Sequence, residues 1–575
     1  MKALLLITLS LSIASIFLEQ LGTLSPIMRA AVLVIDYVVL VLIVIEVVSQ
    51  YRRAAYKRVY LKRNVLSLSF TALYLLLFAY NQTVAMVHAQ SAVETLPQAI
   101  VILRNVFILL RVFSRLKRLS SFLEEIAAHP AQTILLSFLV VILAGTLLLL
   151  MPFASAADQK LSILDALFTA TSSVCVTGLI VVDTATAFSV SGKLVILALI
   201  QIGGLGIMIL SYFTIFVFRR SMSIEDKMLI SYMLSERDMT KLARSLKNII
   251  TITFTVEGIG ALLLFLGFLP SAQGGVVGAL FTSVFHSVSA FCNAGFSTFT
   301  DSLEGIRTSP YMVAVFSLLI ITGGISFAVI TNLRQCVINR YRRIVLKTSE
   351  KLIRVSMNTK IVLVASASLL VGATLMIYGI EHDGAMEGYR LGDQYLSSFF
   401  QAVTLRTAGF NTIPISALRP VTYVAMLAFM FVGGASGSTA GGIKVNTVAV
   451  MFAYLFASLK DRESVTLYRN SISINTVLRA FLILLYGVTI VVFGLFLLAL
   501  FEDAPLEHLI FETVSAFGTV GLSAGITGSL SAPGKAVIIC LMFLGRLGPI
   551  TVLAAASLRG KKIRVEYPRG EIAIG

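Results

Sequence analysis

The chain has 575 residues, 57% of them hydrophobic and 13% charged, with a mean hydropathy of +0.92. That composition excludes a single soluble core and requires many apolar runs to meet lipid, so the chain reads as a polytopic membrane protein. Its net charge of +17 sits in short loops between those runs, which is positive-inside topology rather than a nucleic-acid surface.

The first run, residues 3–18 of MKALLLITLSLSIASIFL, has the look of a signal peptide: one lysine, an apolar centre and a small-residue SIAS. It is expected to be a retained span, because a twelve-span count with both ends on one side needs it. Runs at 27–49, 66–88 and 97–114 complete an N-terminal four-helix unit, residues 1–120. VILRNVFILLRVFSRLKRL spaces Arg104, Arg111, Arg115 and Arg118 by seven, four and three residues, near one helical face. With Asp36 and Glu46 on the second run, this unit resembles a voltage-sensor domain. Only Arg104 and Arg111 lie at membrane depth, so an accessory or dimer-contact role is the favoured expectation.

Beyond residue 120 the apolar runs come in four pairs, starting near 132 and 193, 248 and 310, 361 and 421, and 479 and 535. They define repeats at 121–245, 246–358, 359–476 and 477–575. Loops inside the pairs hold 13 Asp or Glu against 5 Lys or Arg, whereas the linkers between pairs carry FRRSMS, NRYRRIVLK and LRGKKIR. The linkers and both termini are therefore expected on the cytoplasmic side of a plasma (inner) membrane, with the acidic loops outside.

Each outward loop repeats one pattern. FTATSSVCVTGL (168–179), FHSVSAFCNAGF (285–296), FFQAVTLRTAGF (399–410) and FETVSAFGTVGL (511–522) place Phe168, Phe285, Phe399 and Phe511 ten residues before a glycine. Those glycines, Gly178, Gly295, Gly409 and Gly521, are 117, 114 and 112 residues apart. A second echo follows 24 to 29 residues later, as IGGLG (Gly203, Gly204), TGGIS (Gly323, Gly324), VGGAS (Gly433, Gly434) and LGRLG (Gly545, Arg546). The stretch before each first glycine, about ten residues, is too short to cross a bilayer and suits one re-entrant helix. Irregular backbone at that depth must be buried in protein or line a water-filled path. Four glycine-ended loops around one axis can turn carbonyl oxygens inward and replace a cation's hydration shell.

These motifs resemble the Trk/Ktr/HKT superfamily of potassium transporters, over roughly residues 125–575. SSVCVTGL, NAGFST, RTAGFNT and GTVGLS look like its four filter loops, and GGASGSTAGGIK looks like its gating loop. The resemblance implies a TrkH/KtrB-like pore subunit, usually a homodimer, conducting K+ inward under a cytosolic ring of nucleotide-binding, TrkA/KtrA-like subunits. It implies filter carbonyls at Val176, Thr177, Gly178, Asn293, Ala294, Gly295, Thr407, Ala408, Gly409, Thr519, Val520 and Gly521. It implies gating within 433–444, at Gly433, Gly434, Ser436, Gly437, Ser438, Thr439, Gly441, Gly442 and Lys444, together with Arg546. Only one glycine recurs per loop, so fewer carbonyl sites are expected than in a tetrameric K+ channel. The degree of K+ preference over Na+, and any coupling to Na+ or H+, stay open.

Asp183, Asp301 and Glu512 are expected on a solvated outer rim, and His286 as a packed histidine. Arg406 reads as a brace donating to carbonyls or to a nearby carboxylate. Arg546 stands 25 residues after Gly521, as Gly434 does after Gly409, which puts its guanidinium level with the start of the third repeat's polar stretch. An acid on another helix is its rival partner, and Lys444 divides between the gate and a snorkel to the cytoplasmic face. Ser436, Ser438 and Thr439 can donate to carbonyls freed by a broken helix. Only the third repeat extends its notch, to Gly442, so control is expected there.

The expected fold is an all-α membrane protein: four helix–pore-helix–helix repeats around one pore, plus four N-terminal helices. No enzyme is expected, because no Ser/His/Asp, Cys/His or metal constellation appears. Cys175, Cys292, Cys336 and Cys540 form no CxxC pair. GGASGSTAGGIK lacks the GK[ST] of a phosphate-binding loop, and no organic cofactor is expected. The rival functions are a voltage-gated K+ or nonselective cation channel, and a secondary transporter of ammonium or an organic substrate hinged at the GG positions.

Overall fold

The computed structural model describes residues 130–156, 161–205, 242–271, 275–347, 352–462 and 464–548, with Val38, Arg52 and Lys57 as isolated points. The N-terminal unit, including Asp36, Glu46, Arg104, Arg111, Arg115 and Arg118, lies outside the described residues.

Unit one is α1 (Pro130–Leu149), α2 (Ile163–Cys175), the single turn α3 (Thr184–Ala187) and α4 (Val190–Gly204). Unit two is α5 (Leu242–Phe268), α6 (Gly275–Cys292) and α7 (Pro310–Gly324), followed by α8 (Phe327–Ile344). Unit three is α9 (Met357–Glu381), α10 (Leu391–Thr404), α11 (Pro420–Phe431) and, after a polar loop, α12 (Val445–Ser458). Unit four is α13 (Ile474–Phe501), α14 (Leu506–Gly518) and α15 (Ala532–Leu547). A short hairpin, β1 (Val465–Leu467) and β2 (Asn470–Ile472), joins units three and four. Its two-residue turn holds Tyr468 and Arg469 at positive φ, as the twist of a tight hairpin demands.

Local chemistry sets where the helices begin. Ser162, Ser189, Ser309, Ser356 and Ser531 each accept from a backbone N–H of the first turn. Proline stands in the first turn of α7, α11 and α15, where no N–H is missed.

The first helix of each unit runs 20 to 28 residues and the second only 12 to 16. The sequence pattern predicts spanning length for both, but each second helix stops at or beside its notch. In units one, two and four the reason is close approach. A Cβ at Gly203, Gly323 or Gly545 would overlap the carbonyl oxygen of Val174, Phe291 or Phe517, each four residues before its filter glycine. The notch glycine thus lets the second helix press on the end of its own pore helix. Each second helix also packs on the next unit's pore helix: α4 on α6, α7 on α10, α11 on α14, and α15 on α2. The chain therefore closes into a four-unit ring.

Two details differ from expectation. The pore helices run 13, 18, 14 and 13 residues rather than about ten, and α6 is long and apolar enough to cross by itself. It nonetheless ends at Cys292, just before its loop, as the others do. In unit three Phe399 is exposed and its neighbour Phe400 is buried, while Phe168, Phe285 and Phe511 in the other units are buried. The cause is a one-residue offset at the end of α10. Ala408 N–H donates to Thr404 O, four residues back, where Thr177, Ala294 and Val520 reach five residues back.

Candidate ion pathway

The four glycines that end the pore loops all adopt positive φ, at 95°, 69°, 78° and 90° for Gly178, Gly295, Gly409 and Gly521. Two residues earlier the backbone is again left-handed, at Val176 (55°), Asn293 (60°), Thr407 (68°) and Thr519 (51°). Three of these four are β-branched, a type for which αL is a costly outlier. Strain repeated at one register position in four loops is the mark of a backbone shaped for a purpose.

The loops meet in a closed circle. A Cβ built at Gly178 falls 2.6 Å from Ala294 O, one at Gly295 2.9 Å from Ala408 O, and one at Gly409 2.9 Å from Val520 O. At Gly521 it would overlap Thr177 O, which closes the ring. Each glycine thus faces the carbonyl preceding the next glycine, and no side chain fits between. Among the described residues the buried hydroxyls of Thr177, Thr407 and Thr519 have no partner, so a cation shedding its water would find oxygen donors there.

The loops are held from behind. Ser172 Oγ accepts from Gly178 N–H at 3.1 Å, and Ser515 Oγ from Gly521 N–H at 3.2 Å. His286 and Glu512 occupy the same register, nine residues before their glycines, and both hold the descending loop. His286 Nε2 lies 3.0 Å from Ser297 Oγ, while Glu512 accepts from Ser523 and, at 3.0 Å, from Thr527. Glu512 is therefore a buried strut, which corrects its expected place on the rim. Asp183 is half-buried, caps α3 and accepts from Thr300 of unit two at 3.0 Å. Asp301 is exposed. Arg406 is 5% exposed, yet among the described residues it has no carboxylate partner, and its Nε and Nη2 are unpaired. Neither form of the brace expectation, to carbonyls or to a carboxylate, is realised among the described residues.

Beneath the filter ring lies the polar loop 433–444. Gly433 N–H donates to Ile443 O (2.9 Å) and Val445 N–H to Gly434 O (3.1 Å), closing the loop at its neck. Gly437 and Gly442 supply positive φ at its two bends. Lys444 Nζ donates inward, to Ala440 O at 2.6 Å and Gly441 O at 3.4 Å, so it braces the loop rather than reaching for lipid headgroups. Ser438 Oγ donates to Ala435 O (2.7 Å), and Ser436 stands half-exposed beside them.

This loop touches units two and four directly and is tied to unit one through Arg546. Thr439 Oγ1 donates to Phe291 O of unit two at 3.2 Å. A Cβ on Gly441 would overlap the Thr519 side chain of unit four, and one on Gly433 would fall 3.4 Å from Thr407 Cγ2. Arg546 of unit four donates from Nη1 to Thr439 O and from Nη2 to Gly203 O of unit one, the latter at 2.6 Å. No acid pairs with Arg546 among the described residues. Its charge is spent on carbonyls that broken helices leave free.

A fourfold re-entrant ring with a loop drawn across its base agrees with what similarity finds. The TrkH family, described as cation transport proteins, matches residues 98–563. The chain belongs to that family. It is 36% identical to the Ktr system potassium uptake protein B of Bacillus subtilis, covering 78% of this chain and 97% of that protein. The protein of the same name from Vibrio alginolyticus is 37% identical, over 77% and 94%. The potassium/sodium uptake protein NtpJ of Enterococcus hirae is 32% identical, over 78% and 97%. The crystal structure of the potassium transporter TrkH from Vibrio parahaemolyticus shares the fold, with a TM-score of 0.61 at 17% identity, over 86% and 97%.

Two buried acids of this TrkH family member escaped the sequence reading. Glu257 on α5, 5% exposed, accepts from Gln201 Nε2 at 3.1 Å and lies 3.7 Å from Cys292 Sγ. A single acid in the apolar run FTVEGIG was the available signal. Glu381, fully buried at the end of α9, accepts from Arg419 N–H (2.9 Å), Ala385 N–H (3.0 Å) and Thr422 Oγ1. It substitutes for a capping residue at the start of α11.

Proposed function

We propose that this protein takes up potassium across the plasma membrane through one gated pore, with the four loops as filter and residues 433–444 with Arg546 as gate. The observation that carries the reading is the closed circle of Gly178, Gly295, Gly409 and Gly521, each at positive φ and each facing the next loop's carbonyl. The names of the relatives support potassium as cargo, and that of NtpJ supports sodium as a second ion. Val176, Asn293, Thr407 and Thr519 with the residues that follow them supply the filter carbonyls. The four units correspond to repeats bounded near 121, 246, 359 and 477, with the basic linkers and both termini in the cytoplasm. Transport is driven by the membrane potential, which is worth about 2.3 kcal/mol per inward cation per 100 mV. A second copy of the chain and a cytosolic ring of nucleotide-binding subunits complete the assembly, and the ring acts on the loop.

The test is growth of potassium-uptake-deficient cells at low external K+. The full chain restores growth, and failure under confirmed membrane expression overturns the reading.

A further inference from the structure

Helix α8 leaves α7 at 103°, so it lies along the membrane plane if α7 crosses. Its turn at Ile325 and Ser326 is bound to the polar loop of unit three. Ala435 N–H donates to Gly324 O (3.1 Å), Thr439 N–H to Gly323 O (3.2 Å), and Phe327 N–H to Gly437 O (3.1 Å). Val329 packs in one apolar cluster with Ala435. The first turn of α8 and the loop beneath the filter are thus one backbone-paired block.

The rest of α8 is divided along its length. Asn332 Oδ1 accepts from Ser356 N–H (3.0 Å) and Thr359 Oγ1 (2.9 Å), and Asn339 Oδ1 from Ile353 N–H (3.0 Å), so residues 353–359 cover that polar face. On the opposite side Val337, Tyr341 and Ile344 are 67%, 57% and 65% exposed. At helical spacing they form one stripe, and the exposed Arg334 and Arg340 border it on either side. An apolar stripe flanked by arginines on a helix in the membrane plane matches a lipid interface: the stripe enters the acyl boundary and the guanidiniums meet headgroups. Charge complementarity selects anionic headgroups, and the inward placement of the basic linkers, on which this inference rests, puts them in the inner leaflet.

We infer that α8 is a membrane-surface helix that binds anionic lipid and passes its position to the gating loop through the Phe327–Gly437 and Val329–Ala435 contacts.

The test places the full chain in nanodiscs of phosphatidylcholine alone or mixed with phosphatidylglycerol and follows amide hydrogen exchange over residues 334–346. Exchange is expected to slow about twenty-five-fold in the anionic discs, since each of the two arginines near such a surface contributes about fivefold. Arg334→Gln with Arg340→Gln is expected to return it to the neutral-lipid rate. In vesicles of the same two compositions, potassium flux shifts severalfold with lipid charge for the wild type and not for the double variant, with equal flux in neutral lipid. Equal protection in both lipids overturns the proposal, as does protection that appears only when a cytosolic subunit is added. Absence of flux in every vesicle speaks against the transport reading, and the exchange measurement alone then decides the lipid contact.

Discussion

Arg546 on the last helix of unit four donates from Nη2 to the carbonyl oxygen of Gly203, 2.6 Å away at the notch of unit one. Its Nη1 holds Thr439 O in the polar loop of unit three. One side chain therefore ties three of the four units together below the filter, and the loop's own pairing to Gly323 and Gly324 brings in the fourth.

Replacing Arg546 is expected to open the pathway. Arg546→Met keeps the apolar stem but removes two charge-assisted hydrogen bonds, worth roughly 1.5–3 kcal/mol each. Potassium flux in reconstituted vesicles should rise about tenfold or more, with a weakened response to cytosolic regulators. Arg546→Lys, which can reach only one of the two carbonyls, should lie between. A folded Arg546→Met protein with reduced flux would show that the guanidinium helps the ion through instead of closing the way.

Gly178→Ser tests the filter. At φ 95° a side chain is strained, and its Cβ would stand 2.6 Å from Ala294 O. The adjacent carbonyls must withdraw, so the ring loses its fit to one ion. The K+/Na+ permeability ratio from reversal potentials should fall by about tenfold, as expected for a loss of roughly 1.4 kcal/mol of discrimination. A protein hinged at its GG notches would instead slow down with its ion preference intact.

Much of this architecture is legible in the sequence, for reasons that differ by residue. Gly178, Gly295, Gly409 and Gly521 stand out because a left-handed loop end at membrane depth leaves glycine as the low-cost choice. Arg546 stands out because a charge in an apolar helix needs a purpose. Phe399 differs in exposure from Phe168, Phe285 and Phe511 despite equal spacing, because the one-residue offset of α10 lives in a single hydrogen bond, Ala408 to Thr404, that no side-chain pattern encodes. The third repeat looked unique in extending its notch, yet α7 also breaks at Gly324 and turns by 103°. Its IS dipeptide continues the apolar run, so the turn is set by pairing to Gly437 from a different unit. Glu512 looked like a rim acid because its partners, Ser523 and Thr527, lie beyond the glycine where the chain doubles back.

The loops beyond the second and third pore-loop glycines carry a pH-dependent contact. Asn411 Nδ2 donates to Glu304 Oε1 at 2.8 Å, linking the loops that follow the second and third filters. Burial, and then the charge of Asp301, hold the Glu304 carboxyl above its ordinary value of 4.5. The folded protein therefore binds this proton more tightly than the unfolded chain does. Its contribution to stability grows as pH falls through the raised value and shrinks as pH rises past it. Glu304→Gln keeps the acceptor for Asn411 without the charge, so it should melt higher than wild type at neutral pH, with the gap closing on acidification toward 4.5. A gap that widens on acidification would mean that the ionised form is the stabilising one.

Glu512 and His286 should fail in the same way when removed. Both stand nine residues before a filter glycine, and both anchor the chain that descends behind it, through Ser523 and Thr527 or through Ser297. Glu512→Ala removes the acceptor that Ser523 and Thr527 share and leaves a void beside the fourth loop, a loss of about 2–4 kcal/mol. His286→Ala removes a ring stacked 4.9 Å from Phe299 as well as the Ser297 contact. Each variant should unfold at lower temperature in detergent and also lose K+/Na+ preference, because the filter backbone is no longer held from behind. Glu512→Gln retains an acceptor for Thr527 and should recover most of the selectivity. If Glu512→Ala lowers the melting temperature while selectivity stays at the wild-type value, the strut serves the fold alone and the loop's shape is set by the neighbouring carbonyls.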